Sequence, residues 1–247
     1  MLESISSIKV KATVAYDGSQ YNGFQKQKST KNTIAEYIEK ALKSLNIDST
    51  IVASGRTDAG VHATGQVIHF TLPSYWSDLE KLKINLNRKL ETIKFKRITL
   101  VNNDFHARFS AKKRLYRYVF KSSDISLFEQ KYVSFYSNFD KKILQLALDK
   151  FVGVHDFNLF RKTGTITHTT IREVFKAKYV SYGKYHFIYF QANGFLRSQV
   201  RMMVETSMMC AKGELELIKV EEQLMCKKRN ITKLAPPEGL YLAHITY

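Results

Sequence analysis

The sequence predicts an α+β fold built as two similar sandwich domains, each with helices covering one face of an antiparallel sheet. Three observations predict it. Segments with an apolar period of two alternate with segments whose apolar residues recur at helical spacing. The first half reads strand, helix, strand, strand, helix, strand, and the second half echoes that order. With 247 residues and 44% hydrophobic content, the chain can fill one large core or two small ones.

Ile8, Val10, Ala12 and Val14 alternate with Lys9, Lys11 and Thr13, which predicts the first strand. A polar loop, DGSQYNGFQKQK, follows. Thr33 and Glu36 form a capping box for a helix whose apolar face carries Ile34, Tyr37, Ile38, Ala41, Leu42 and Leu45. Thr50 to Ala53 is a second strand, and Gln66 to Leu72 a third. Ser77 and Glu80 repeat the capping-box signal before a helix bearing Leu79, Leu82, Leu86 and Leu90, and Thr92 to Val101 closes the set.

In the second half, Leu115 to Lys121 is a strand, and Asp140 caps a helix with Ile143, Leu144, Ala147, Leu148 and Phe151. Gly153 to Phe160, GVHDFNLF, reads as a helix stop followed by hydrophobic plugs. Thr170 to Val180 and Tyr185 to Asn193 pair through a turn at Ser181–Lys184. A long helix from about Arg197 to Lys212, a further helix through Glu214 to Lys227, and a strand from Leu240 to Tyr247 complete the reading. The domain boundary is expected within Asn102–Ala111, giving domains 1–103 and 104–247.

Lys and Arg number 39 against 22 acids, a net charge of +17. Such a surface suits a polyanion, whose phosphates relieve the self-repulsion and release counterions. Aromatics interleave with cations at Arg114, Tyr116, Arg117 and Tyr118, so unpaired or flipped bases are plausible ligands. Two cysteines, Cys210 and Cys226, make neither a disulfide framework nor a zinc signature. The seven histidines never take metal-ligand spacing, and His69 reads as a packed strand residue. No apolar run reaches transmembrane length and the start, MLESISSIKVK, is no signal peptide, so a cytoplasmic protein without membrane contact is expected. Phosphate-loop, dinucleotide, serine-elbow and zincin motifs are all missing.

The most informative stretch is SGRTDAGVHATGQVIHF, Ser54 to Phe70. It sets Asp58 in a glycine-punctuated turn, with Arg56 just before it and His62 just after. Gly55, Gly60 and Gly65 are expected to adopt positive φ and to let backbone approach a ligand. Asp and Gly also dominate plain turns, so the residues alone leave an ordinary connector open. Arg197 and Arg201, four apart in GFLRSQVRMMV, are expected on one helix face.

YDGSQYNGFQKQ, GRTDAGVHATGQVIHF, DFHARFSA, RLYRY, GVHDF, FLRSQVRMMV and APPEGLYL, in that order, resemble the motifs of TruA-type tRNA pseudouridine synthases over nearly the whole chain. The resemblance implies an enzyme isomerising anticodon-arm uridines, at tRNA positions 38, 39 and/or 40. It further implies ferredoxin-like, RNP-like sandwich domains around a central basic cleft, a homodimer, tRNA as partner, and no metal or organic cofactor. By the same resemblance, Asp58 matches the catalytic aspartate, Arg56 the arginine that holds or flips the nucleotide, and Tyr116 the tyrosine that stacks on the base and assists proton removal. Arg201 matches the arginine that pairs with the aspartate, and Gln66 and Arg197 join Arg56 and Tyr116 as substrate-binding residues. Glu205 departs from the pattern, which has Gly there, and stands one helical turn from Arg201, where it could compete for the arginine's charge.

Breaking a glycosidic bond builds positive character on the sugar, which one carboxylate can stabilise or capture. Two other classes compete: an RNA-binding module without catalysis, and a glycosidase, for which Asp104 is the only conspicuous second acid.

Overall fold

A computed structural model describes residues 7–164 and 167–247. Residues 1–6, part of the segment read for a leader, lie outside the described residues. The chain divides into two compact units: 1–112 together with 242–247, and 113–241. Relative to the expected boundary after 103, the split falls later, and the last residues return to the first unit because they form a strand there.

In the first unit, β1 (Ser7–Tyr16) lies between β3 (His62–Pro73) and β4 (Ile93–Leu100), antiparallel to both. The period of two is realised: Val10, Ala12, Val14 and Tyr16 are buried while their neighbours are partly exposed. The pairing with β3 shifts register between Val14 and Tyr16, and this bulge lets Tyr16 sit opposite Ala63. β3 therefore starts at His62, ahead of the expected Gln66. β2 is only Val52–Ala53, on the far side of β3.

Helix α1 (Ile34–Lys43) is capped by Thr33, whose hydroxyl accepts from the Glu36 N–H at 3.4 Å. Helix α2 (Leu79–Lys89) is capped by Asp78, not Ser77, because the Asp78 carboxylate reaches the Lys81 N–H at 2.9 Å. Ile38, Leu42, Leu82 and Leu86 are fully buried, each removal from water contributing roughly 1.5–3 kcal/mol. The last strand, β10 (Leu240–Thr246), neighbours β3.

In the second unit the strand order is β5 (Lys113–Lys121), β9 (Tyr185–Ala192), β8 (Ile171–Tyr182) and β7 (Gly153–Asp156), all antiparallel. The sequence reading missed β7: four residues are too few to display a period, and Val154 stands 65% exposed. The plugs after it are real, since Phe157 and Phe160 are fully buried. A two-residue strand, β6 (Ser134–Phe135), pairs with β5 in parallel, a departure from the all-antiparallel expectation. Helix α3 (Lys141–Asp149) is capped by Asp140 and packs on α4 (Gln199–Ala211) and β8. Helix α5 (Leu217–Leu224) follows.

Candidate active site

Two loops of the first unit interlock to build the Asp58 turn. Thr57 points inward, and its hydroxyl meets the buried Tyr16 hydroxyl at 2.8 Å. Burial pushes the Tyr16 phenol well above its ordinary pKa, so it stays a neutral hydrogen-bonding group. The Phe24 N–H donates to the Thr57 carbonyl at 3.1 Å, and the Gly60 N–H donates to the Tyr21 carbonyl at 3.4 Å. Gly18 packs so closely that a Cβ there would stand 2.0 Å from the Val61 oxygen. The Gly18 N–H donates to Nδ1 of His62, which is 1% exposed and lies 3.3 Å from an Asp17 oxygen.

Within the turn the Val61 N–H donates to the Asp58 carbonyl at 3.2 Å, and Gly60 supplies the left-handed step at φ 76°. Backbone and small polar groups thus face inward, while Arg56 is exposed and Asp58 half-buried. Gly55 and Gly65 differ from expectation, since neither has positive φ. Gly65 is required for a different reason: a Cβ would lie 2.2 Å from the Ala243 oxygen of β10.

In the second unit, Tyr116 occupies the middle of β5 opposite Phe190, 8% exposed, with Phe195 edge-on at 5.2 Å between ring centroids. Arg201 lies in the first turn of α4. Its Nε donates to the Ala235 carbonyl at 2.7 Å, and the Ala235 N–H returns a bond to the Arg201 carbonyl at 3.1 Å. A guanidinium at a helix N-terminus adds to the positive end of the dipole, so this end of α4 favours an anion. Among the described residues no three His, Cys, Asp or Glu side chains gather as a metal ion requires.

A tRNA pseudouridine synthase family model matches residues 12–110 and again 147–247, spanning both units and taking in Asp58 and Arg201. The chain belongs to this family. The tRNA pseudouridine synthase A of Wolinella succinogenes is 38% identical over 96% of this chain and 93% of its own length. The Helicobacter hepaticus protein of the same name is 38% identical over 96% and 98%, and that of Lactococcus lactis 37% over 97% and 97%. Among solved structures, an archaeal box H/ACA Nop10–Cbf5 complex aligns at a TM-score of 0.36 and 8% identity over 81% of this chain and 43% of that one, too slight a likeness to argue from.

Within this pseudouridine synthase, the placement of Arg197 differs from the sequence reading. Arg197 does not share a helix face with Arg201: Ser198 adopts φ 58°, so the helix begins only at Gln199. Arg197 sits in the preceding turn, with a guanidinium nitrogen 3.3 Å from the Thr163 carbonyl. Gln66 is fully buried, accepting from the Ser54 hydroxyl at 2.7 Å and donating to the Gly55 carbonyl at 2.9 Å. Its amide braces the turn from below, away from solvent. The motifs YDGSQYNGFQKQ and GRTDAGVHATGQVIHF contain Tyr16, Gly18 and Thr57, but the sequence reading assigns these three no individual role; the structure shows them bracing the turn.

Proposed function

We propose that this chain isomerises uridine to pseudouridine in the tRNA anticodon arm, at positions 38, 39 and/or 40, with Asp58 as its single catalytic acid. The observation that carries the reading is the half-buried Asp58 carboxylate on a turn whose backbone is locked from beneath by Tyr16, Gly18 and Gln66. A fixed acid of this kind suits a reaction that needs charge at one point.

The chemistry conserves every atom. The bond from ribose C1′ to base N1 breaks, the uracil turns, and C5 bonds to C1′ while the C5 proton moves to N1. Asp58 serves the first step, by capturing C1′ or by removing a ribose proton; trapping a covalent adduct separates the two routes. Tyr116 stacks on the base and, directly or through water, assists loss of the C5 proton. Arg201 is the site's catalytic arginine, and exposed Arg56 supports the flipped nucleotide. Arg197, in its turn, is a phosphate contact. We further propose that the protein is cytoplasmic and acts as a homodimer. No helix among the described residues is long and apolar enough to cross a membrane.

Asp58→Ala should lower pseudouridine formation by roughly a thousandfold or more while leaving tRNA affinity within about twofold. Mapping pseudouridine in bulk tRNA after incubation with wild type and variant tests this, and full activity of the variant removes the proposal. A glycosidase using Asp104 would release free uracil, whereas an isomerase releases none.

A further inference from the structure

The resemblance implies Gly where this chain has Glu205, and the structure gives that glutamate a task. Glu205 is 3% exposed in the middle of α4. A carboxylate so placed is costly unless both oxygens are engaged. One accepts from the Tyr136 hydroxyl at 2.6 Å, and the other lies 2.7 Å from the Lys233 ammonium. Burial, with Tyr118 and the Glu205 carboxylate adding to it, raises the Tyr136 pKa, so that phenol remains a donor. Glu205 is therefore matched to Lys233 and does not take the charge of Arg201 one turn earlier.

Lys233 belongs to a strap, residues 231–236, which has no regular structure and is pinned at four points. Ile231 exchanges bonds with the Gln223 amide at 2.9 and 3.2 Å. Lys233 meets Glu205. Ala235 exchanges two bonds with Arg201, and the Tyr118 hydroxyl donates to the Pro236 carbonyl at 3.0 Å. The helix fixes only the Arg201 backbone, and an arginine side chain has several further rotations. The Ala235 carbonyl on Nε supplies the second point that sets the plane of the guanidinium. Lys233 is two residues away, a span of at most about 7 Å, so its grip governs where that carbonyl stands.

We infer that Glu205 and Lys233 form a clasp that fixes the 231–236 strap on α4 and thereby aims the Arg201 guanidinium. They are positioning residues for the reaction proposed above, and the inference rests on Arg201 acting in it. Lys233 is the end to test, because its side chain is 71% exposed and its loss leaves the core packing alone.

The experiment measures single-turnover pseudouridine formation and equilibrium tRNA binding for wild type, Lys233→Met, Lys233→Arg, Arg201→Met and the Lys233→Met/Arg201→Met double variant. Glu205→Gln, which keeps an acceptor for Tyr136 and removes the charge, serves as the second break in the clasp should Lys233→Met fold poorly by circular dichroism. Lys233→Met and Glu205→Gln should each slow the chemical step about tenfold with affinity unchanged, since small misplacements of a positioned group cost rate. Lys233→Arg should restore the rate. In the Arg201→Met background, loss of Lys233 should cost nothing further. A wild-type rate in both single variants, an additive loss in the double variant, or weakened binding at an unchanged rate would each overturn the clasp. An inactive wild type would instead remove the function proposed above, and the clasp with it.

Discussion

The Asp58 turn and the N-terminal end of α4 solve the same problem, holding a charged group in place, by opposite means. At Asp58 the backbone does the fixing: two loops interlock through Gly18, Phe24 and Thr57, and the charged side chain is left half-exposed. At Arg201 the backbone is an ordinary helix, and a carbonyl from a separate strap fixes the side chain instead. The difference follows from length. A short carboxylate inherits its position from its Cα, whereas a long guanidinium needs a second anchor far along the side chain.

This contrast yields tests that strain the turn through its backbone. Gly18→Ala should have the largest effect, because its Cβ would stand 2.0 Å from the Val61 oxygen and that backbone must move. Forcing such a shift costs about 1–3 kcal/mol in stability, and we expect a rate loss on the order of a hundredfold from the displaced Asp58. Gly55→Ala is the matched control: nothing lies within 4 Å of its Cβ and its φ is not positive, so urea midpoint and rate should hardly change. Equal losses in the two variants would show that close approach is not what holds the turn.

Gln66→Leu probes the brace beneath the turn and should have an intermediate effect. It removes the acceptor that Gln66 offers the Ser54 hydroxyl and the donor it offers the Gly55 carbonyl, a cost of about 1–3 kcal/mol by denaturant unfolding. If Gln66 is a brace, the rate falls while affinity for tRNA holds; if it touches substrate, affinity falls first.

The smallest effect concerns His69, buried on β3, where Nδ1 accepts from the Ala107 N–H at 3.1 Å. Burial, helped by His106 and Lys9, lowers its pKa to about 4. The unfolded chain, near the ordinary 6.5, binds the proton first, so the contribution of His69 is present above about pH 6.5 and lost as pH falls toward 4. Subtracting the His69→Asn urea midpoint from wild type across this window should isolate the loss. A difference that is flat with pH would mean His69 is not held neutral by the fold.

Much of the fold was legible in the sequence because its signals are local. The alternation of β1, the caps at Thr33 and Asp140, and the apolar faces of α1 and α3 follow from periods and side-chain reach within a few residues. β6 and β7 were not legible, being too short to show a period. The start of α4 was misjudged because Arg197 and Arg201 have helical spacing, yet Ser198 takes a left-handed conformation that spacing cannot reveal.

By itself the sequence determined the α+β elements, the strong positive charge and the motif that singles out Asp58. Only the tertiary structure decided what surrounds that acid and what holds Arg201. The reason is that Gly18 against Val61, Gln66 against Gly55 and Lys233 against Glu205 depend on how segments distant or differently directed along the chain meet, and no local period encodes such a meeting.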